Sequence, residues 1–191
     1  MLSEKRICII FACSVSPSSG KLIIGKDGDI PWRGKIPSDM NRFVLLTKGL
    51  SLIMGRKTWD SIPERFRPFD KKLTPEEARQ SIVLTRDRSF EVDDDRVLVA
   101  HSIKEAVQKA RERNIWVIGG AEVYALTLPF ADQIHKTTVL GEFEGDTFFP
   151  EELGENWVVT KAKPYIHGCG DARKDRLSSI YMVLERKSLE I

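Results

Sequence analysis

Short, continuous apolar runs alternate with segments of helical periodicity along most of this chain. The apolar runs are Ile7 to Cys13, Leu50 to Met54, Ile82 to Leu84 and Ile115 to Ile118. The segments with helical periodicity are Asp39 to Lys48, a short stretch from Arg56, Ser102 to Arg113 and Ala121 to Leu128. Strands that are covered by helices on both faces lack the apolar and polar alternation of half-exposed strands. The pattern therefore predicts an α/β fold with mostly parallel strands.

The region after Pro129 has a different pattern, with longer strands in which apolar and polar residues alternate. These strands are Ile134 to Leu140, Trp157 to Lys163 and Leu177 to Arg186. Alternation over such lengths favours antiparallel pairing, and the glycine-containing segment from His167 to Arg173 is predicted to be the turn between the last two strands. Neither a repeat nor a linker separates the two parts, so one domain over residues 1–191 is predicted.

Composition narrows the range of partners. Thirty basic and 28 acidic residues leave a formal charge of only +2 without runs of like charge, so no nucleic-acid partner is required. The first apolar run is far shorter than the roughly 20 residues that cross a bilayer, and the three cysteines lack C-x-x-C spacing. We therefore expect a cytoplasmic protein and, without a long apolar surface stripe, a monomer. The scattered histidines give no reason to expect a metal site.

Asp39 stands out in the stretch from Gly25 to Phe43, which reads GKDGDIPWRGKIPSDMNRF. Pro37 and Ser38 predict a helix start, so Asp39 lies in a first helical turn. Its surroundings are otherwise apolar and aromatic, with Trp32 and Phe43 nearby, which suggests a ligand pocket. The simpler alternative is that a helix N-terminus merely favours an acid, typically by about 0.3–1 kcal/mol.

Three motifs follow predicted strands, where open α/β sheets bind ligands. They are LIMGRKTW from Leu52 to Trp59, IVLTR from Ile82 to Arg86, and WVIGGAEVY from Trp116 to Tyr124. A helix start with an arginine favours an anion, and glycines allow close approach of a ligand to the backbone. Together the motifs indicate a phosphate-rich cofactor, although each alone is also typical of a steric turn or a solvated charge.

Nine ordered segments carry a resemblance that spans nearly the whole chain. They are IIFACS, IIGKDGDIPW, PSDMNRF, IMGRKTW, SIP, FRP, SIVLTR, WVIGGAEVY and EGDTFFP. In these segments the chain resembles dihydrofolate reductase. The resemblance implies a central, mostly parallel eight-stranded sheet with an antiparallel C-terminal edge strand and four flanking helices. It also implies reduction of 7,8-dihydrofolate to tetrahydrofolate, with hydride passing from NADPH to the pterin C6 and a proton reaching N5.

The resemblance also implies roles for individual residues. The catalytic group would be Asp39, hydrogen-bonded by Thr137, with Trp32 supporting an ordered water or serving only as a core aromatic. An ionised carboxylate matches the pterin amino group and ring N–H, and burial should raise its pKa. The substrate-binding residues would be Ile10, Phe43, Ser61, Ile62, Arg79 and Ile118.

The implied cofactor site lies along the strand ends. Its residues would be Ala12, Ile24, Gly25, Arg56, Lys57, Thr58, Leu84, Thr85, Arg86, Gly119, Gly120, Ala121, Glu122, Val123 and Tyr124. Within the family the peptide between the two glycines is cis. Arg56 and Arg86, with Thr85, would meet the 2′-phosphate that distinguishes NADPH from NADH.

Two departures from the family pattern affect these expectations. Extra residues lie between Arg67 and Arg79, and the sequence from Thr74 to Glu77 predicts a helical turn within them. Arg79 aligns with the arginine that binds the folate α-carboxylate, with Arg65, Arg67 and Lys71 as alternatives. The polar segment from Ser16 to Lys21 expands a loop that closes over the cofactor in the family.

Two other functions fit parts of the pattern. The pyrimidine reductase of riboflavin synthesis shares the fold and uses NADPH. The second is a binding role without turnover, either for folate or a nucleotide or for the protein's own messenger RNA. The presence of Asp39 and the lack of a basic stripe argue against either of these as the sole role.

Overall fold

The computed structural model describes residues 5–150 and 153–187, which build one sheet flanked by four helices. The strands are β1 (Arg6–Val15), β2 (Leu22–Gly25), β3 (Ser51–Gly55), β4 (Gln80–Leu84), β5 (Val97–Ala100), β6 (Asn114–Val117), β7 (Gln133–Val139), β8 (Thr147–Phe148), β9 (Trp157–Tyr165) and β10 (Ser179–Arg186). The helices are α1 (Pro37–Thr47), α2 (Arg56–Ser61), α3 (Ile103–Lys109) and α4 (Ala121–Thr127).

Eight strands form the main path of the sheet in the order β5-β4-β3-β6-β1-β7-β10-β9. All neighbours from β5 to β7 are parallel, whereas β10 is antiparallel to both β7 and β9. The short strands β2 and β8 branch from β1. The predicted fold class is confirmed, with one difference in detail: the C-terminal strand lies inside the sheet, and β9 forms the edge.

The two faces of β1 belong to different apolar clusters, which explains its continuous apolar sequence. Ile7, Ile9 and Phe11 pack with α3 and α4, whereas Cys8 packs on the opposite face, against residues of β3 and α2. Successive side chains of a strand point to opposite faces, so a strand that is covered on both sides needs apolar residues at every position. Burial of a residue such as Ile9 contributes roughly 1.5–3 kcal/mol.

The N-terminus of α1 is held by a distant acid. The Asp175 carboxylate, which is buried in the segment that connects β9 to β10, accepts from the Ser38 backbone N–H at 2.8 Å and from the Ser38 hydroxyl. Serine is a common N-cap residue and contributed to the predicted helix start, but Ile36 occupies the N-cap position without a side-chain hydrogen bond. Asp175 therefore provides the cap, and it fixes the first helical turn against the C-terminal part of the sheet.

The sequence from Ser102 to Glu105 has the pattern of a capping box and predicts a helix start there. The start of α3 agrees with this prediction, whereas its end differs from the predicted one. Ser102 accepts from the Glu105 backbone N–H at 3.1 Å, but the Glu105 carboxylate accepts from His101 rather than from Ser102. The helix ends at Lys109, earlier than the predicted Arg113, because Ala110 takes an extended conformation that leads into β6. The capping motif therefore located the first turn, and the sheet determined the end.

Several short elements were not predicted from the sequence: β2, β5 and β8, with four residues or fewer each. Residues 74–77 form the expected turn, in which the Thr74 carbonyl accepts from Glu77 at 3.1 Å and from Ala78 at 2.9 Å. In the described part of the chain, no helix has the length and apolar character that spanning a bilayer would require. The same residues contain no group of three or more metal-ligating side chains.

Candidate active site

Asp39 lies in the first turn of α1 and faces the middle of the sheet. The Thr137 hydroxyl donates to Asp39 Oδ1 at 2.6 Å. Ala12, Thr137 and Tyr181 are aligned across β1, β7 and β10, so their side chains project from one face of the sheet. The Asp39 side chain is 25% exposed. It is therefore a largely buried carboxylate that is still open to a ligand from one side.

Opposing effects set the proton affinity of Asp39. Burial is the largest effect and raises the pKa of Asp39 above its ordinary value of 3.8, in the direction expected from the sequence. The Thr137 hydrogen bond and the Arg42 charge lower this pKa, whereas the Asp175 charge raises it. A carboxyl group with a raised pKa takes up a proton more readily near neutral pH, as acid–base chemistry requires.

The description of Asp39 as a single acid among apolar and aromatic groups was wrong in one respect. Arg42 Nη2 lies 3.3 Å from Asp39 Oδ1, and the Arg42 side chain is only 11% exposed. The signal was present in the sequence, because residues three apart on a helix are neighbours. The influence of Asp175 has no such local signal, since it depends on the packing of a distant segment.

Two residues expected near the pterin have other contacts in the fold. Trp32 is 2% exposed and packs with Ile36 in a small apolar cluster, with its ring edge-on to Phe143 at 5.3 Å between centroids. This packing agrees with the core-aromatic alternative, and it does not test the role in binding water. The Ile10 carbonyl accepts from the Tyr124 hydroxyl at 2.9 Å. One of its two lone pairs therefore remains for a ligand amino group.

The apolar wall beside α1 includes Phe43, Ile62 and Ile118, which are partly buried against the same cluster as β3 and β6. Ser61 is exposed at the end of α2, and its hydroxyl donates to the Thr58 carbonyl at 2.8 Å. The structure thus brings the three apolar residues to one surface, with the serine at its margin.

Arg79 is the cation that lies beside this wall. Its guanidinium carbon is 4.8 Å from the ring centroid of Phe69 and 5.9 Å from that of Phe43. Asp70, in the extra segment, accepts from Arg79 Nε and Nη2 at 2.7 Å each. This bidentate pair leaves the Nη1 end of the guanidinium outside it. Among the alternatives, Arg67 lies 3.7 Å from Asp60, and Lys71 donates to the Glu64 carbonyl.

The two glycine motifs meet at adjacent strand ends. Gly55, at the end of β3, donates its backbone N–H to the Gly119 carbonyl at 2.8 Å. The peptide between Gly119 and Gly120 is cis, as the resemblance implied. A Cβ at Gly120 would lie 3.2 Å from Thr58 Oγ1, and one at Gly119, where φ is 119°, would lie 3.3 Å from the Tyr124 hydroxyl. Glycine therefore allows the starts of α2 and α4 to approach each other.

Cations line the exposed side of this edge. Arg56 lies 3.4 Å from Asp87, and Arg86 lies 3.4 Å from Glu122. Both pairs are exposed and screened by solvent, so a phosphate would displace the acids at little cost. The Thr85 hydroxyl accepts from the Asp87 backbone N–H at 3.1 Å. Together with the glycine backbone, this donor set fits a phosphate-bearing dinucleotide.

The remaining expected cofactor residues lie on β1, β2 and β4 and in the first turns of α2 and α4. Ala12 is half-buried on β1, and Ile24 and Gly25 lie on β2. A Cβ at Gly25 would lie 3.3 Å from Thr147 of β8, so this backbone is close to its neighbour. Leu84 ends β4 beside Gly55, its register partner. Lys57 is exposed in the first turn of α2, and Ala121, Glu122 and Val123 form the first turn of α4.

Comparisons with known proteins agree with this geometry. A family model described as dihydrofolate reductase matches residues 7–185. The dihydrofolate reductase of Staphylococcus haemolyticus is 38% identical over 138 residues, which cover 72% of this chain and 75% of that protein. The enzyme of Bacillus subtilis is 36% identical over 142 residues, which cover 74% and 76%.

A solved structure extends the match to the fold. It is a dihydrofolate reductase from Enterococcus faecalis complexed with NADP(H) and RAB-propyl, with a TM-score of 0.77 at 27% identity. The superposition covers 97% of this chain and 98% of the other. The expected enzyme class, an NADPH-dependent oxidoreductase, is that of the matched family, and this chain belongs to the dihydrofolate reductase family.

Proposed function

We propose that this protein reduces 7,8-dihydrofolate to 5,6,7,8-tetrahydrofolate and that Asp39 both anchors the pterin and assists protonation of N5. The observation that carries the proposal is the asymmetric environment of its carboxylate. Oδ1 accepts from Thr137 at 2.6 Å, whereas no donor among residues 5–150 and 153–187 is bonded to Oδ2. The Asp39 side chain is 25% exposed, so Oδ2 remains open to a ligand, and the adjacent amino and ring N–H groups of a pterin match a carboxylate acceptor.

Thr137 has a second role in this arrangement. Its hydroxyl has one proton, which it donates to Asp39, so its lone pairs remain as acceptors. The threonine thus orients the carboxylate and can also accept from the ligand amino group. Asp39, with its raised pKa, would deliver a proton towards N5 through water. Ile10 and Ile118 would offer backbone carbonyls at the other side of the ring.

The cofactor would lie along the glycine edge. When bound there, NADPH would supply the hydride that the pterin C6 receives. Gly119 and Gly120 would allow the pyrophosphate to approach the start of α4, and Arg56 and Arg86 would hold the 2′-phosphate after its oxygens replace Asp87 and Glu122. Tyr124 would support the wall near the nicotinamide, because its buried hydroxyl is already bonded to Ile10.

Arg79 is proposed to bind the α-carboxylate of the folate tail. Its position beside Phe43, which would line the path of the aminobenzoyl group, supports this role. Asp70 holds the Nε and Nη2 edge, and this pairing lowers the pKa of Asp70. We infer that Asp70 fixes the guanidinium so that its Nη1 end points to the substrate tail.

Turnover of purified protein tests the proposal. NADPH oxidation would be followed with dihydrofolate and, separately, with a ribosylaminopyrimidine substrate of the riboflavin pathway. We expect turnover with dihydrofolate only, and a large loss of that turnover in Asp39→Asn. Turnover of the pyrimidine alone would favour the other reductase. Folate binding without turnover would favour the non-catalytic alternative, and an unaffected Asp39→Asn variant would remove the proposed acid.

A further inference from the structure

Arg42 is a fixed, largely desolvated cation beside Asp39. Its Nη2 lies 3.3 Å from Asp39 Oδ1, and its guanidinium carbon lies 4.4 Å and 4.2 Å from the ring centroids of Tyr165 and Tyr181. Arg42 Nη1 is buried and has no hydrogen-bond partner in the described part of the chain. Hydration favours an exposed guanidinium over a buried one. The two aromatic rings and the Asp39 carboxylate therefore hold the Arg42 side chain in its buried position.

The groups that face Asp39 make Arg42 its dominant charged neighbour. β7 contributes Thr137. The segment before β10 contributes Asp175, whose carboxylate is engaged with Ser38. The other ionisable groups are Cys13 on β1, Tyr165 on β9, and Tyr181 and His135 behind it on the sheet. Across the described ranges, Arg42 is the only cation within 4.0 Å of the Asp39 carboxylate.

Cys13, Tyr181 and His135 remain uncharged near neutral pH. Burial raises the pKa of the Cys13 thiol to about 11 and that of Tyr181 to about 12. Burial also lowers the pKa of His135 to about 4, so this histidine is neutral. The local charge near Asp39 is therefore set mainly by Arg42 and, with opposite sign, by Asp175.

We propose that Arg42 is a positioning residue that orients the Asp39 carboxylate and weakens the advantage that this acid gives to a cationic ring over an uncharged one. The inference rests on the proposed function of Asp39. Thr137 and Arg42 together occupy the acceptor positions of Oδ1, which directs the ligand donors to Oδ2. Because Arg42 offsets the negative charge, a protonated ring gains less from Asp39 than it would beside an isolated carboxylate.

Ligand selectivity provides the first test. The affinities of two probes would be measured with NADPH present: a neutral 7,8-dihydropterin and a 2,4-diaminopyrimidine that carries a proton on its ring when bound. Replacement of Arg42 by Met should tighten binding of the cationic probe by at least about tenfold relative to the neutral one, as expected for one charge at an effective dielectric constant near 20. Arg42→Lys, which keeps the charge, should largely retain the original ratio.

The pH profile provides the second test. Without Arg42, the pKa of Asp39 loses one of the effects that lower it, so the midpoint of kcat/KM for dihydrofolate that reflects Asp39 should move to higher pH. Arg33→Met is the matched control. It removes an arginine that is also paired with an acid, Asp29, but is half-exposed, so both readouts should be unchanged.

An unchanged probe ratio and an unchanged pH midpoint in folded Arg42→Met would overturn the proposal. So would equal changes in Arg33→Met, because the effect would then reflect net charge alone. If Arg42→Met does not fold, Arg42→Gln serves as the neutral variant, with the same two readouts. Absence of dihydrofolate turnover in the unmodified protein would instead refute the proposed function.

Discussion

Thr137→Val isolates the hydrogen bond that supports Asp39. The replacement keeps the shape of a side chain whose residue is only 3% exposed, and it removes the hydroxyl that donates to Asp39 Oδ1 at 2.6 Å. Hydrogen bonds to charged groups contribute about 1.5–3 kcal/mol, and about 1.4 kcal/mol corresponds to a factor of ten. We therefore expect kcat/KM for dihydrofolate at neutral pH to fall by roughly 10- to 150-fold.

Loss of this hydrogen bond should also change the pH dependence of kcat/KM. Loss of the Thr137 donor removes an effect that lowers the pKa of Asp39, so a smaller fraction of the carboxylate is ionised at a given pH. The assay is steady-state oxidation of NADPH from mildly acidic to mildly alkaline pH. The profile of Thr137→Val should move to higher pH while the protein retains its fold.

Thr138→Val is the matched control. Thr138 follows Thr137 on β7, and its side chain points to the opposite face of the sheet. The same atoms are therefore removed without loss of the contact with Asp39. If Thr137→Val retains kcat/KM within about twofold of the unmodified protein, or if Thr138→Val loses as much, the assigned role of the hydrogen bond is incorrect.

Four further predictions concern other parts of the protein. Arg56→Gln should raise KM for NADPH far more than KM for NADH, and equal losses would argue against a 2′-phosphate contact. Arg79→Met should raise KM for dihydrofolate by about tenfold and leave KM for a dihydropterin without the tail unchanged. Asp70→Asn should raise KM for dihydrofolate by a smaller factor. A lower KM in Asp70→Asn would instead indicate that Asp70 competes with the folate carboxylate for Arg79. Asp175→Asn should lower the free energy of unfolding by about 1–2 kcal/mol, measured with urea, because the acceptor for Ser38 is weakened. His135 has a pKa of about 4 when folded, so the free energy of unfolding should fall as pH drops from about 6.5 towards 4, since only the unfolded state takes up the proton; His135→Gln should remove this part of the pH dependence, and an unchanged dependence would contradict the assignment.

The sequence predicted the elements whose signals are local. The apolar run of β1 and the Ser102 motif at the start of α3 depend on neighbouring residues, and both lie close to their predicted positions. The start of α1 was predicted for a partly wrong reason, because the acid that caps it is Asp175, 137 residues away from Ser38. Such a contact depends on the completed sheet and has no signature in a short window.

In the candidate site, too, groups with a local sequence signal could be predicted, whereas contacts between distant segments could not. Asp39 and the glycine motifs were found because spacing and residue type identify them. Arg42 was overlooked although its i, i+3 spacing from Asp39 is a local signal. The pairing of Asp70 with Arg79 could not be predicted, because it depends on how the extra segment folds, including the positive φ of 59° at Asp70. The inner position of β10 likewise reflects strand order, which alternation alone does not determine.

The most direct test of the account is the rate of hydride transfer in a single turnover, measured against pH for the unmodified protein and for Asp39→Asn. The amide keeps the shape but neither ionises nor donates a proton as an acid, so we expect transfer to be slow at neutral pH and to recover partly as the solvent becomes more acidic. A rate in Asp39→Asn equal to that of the unmodified protein at neutral pH would contradict the central claim that this buried carboxylate anchors the pterin and assists its protonation.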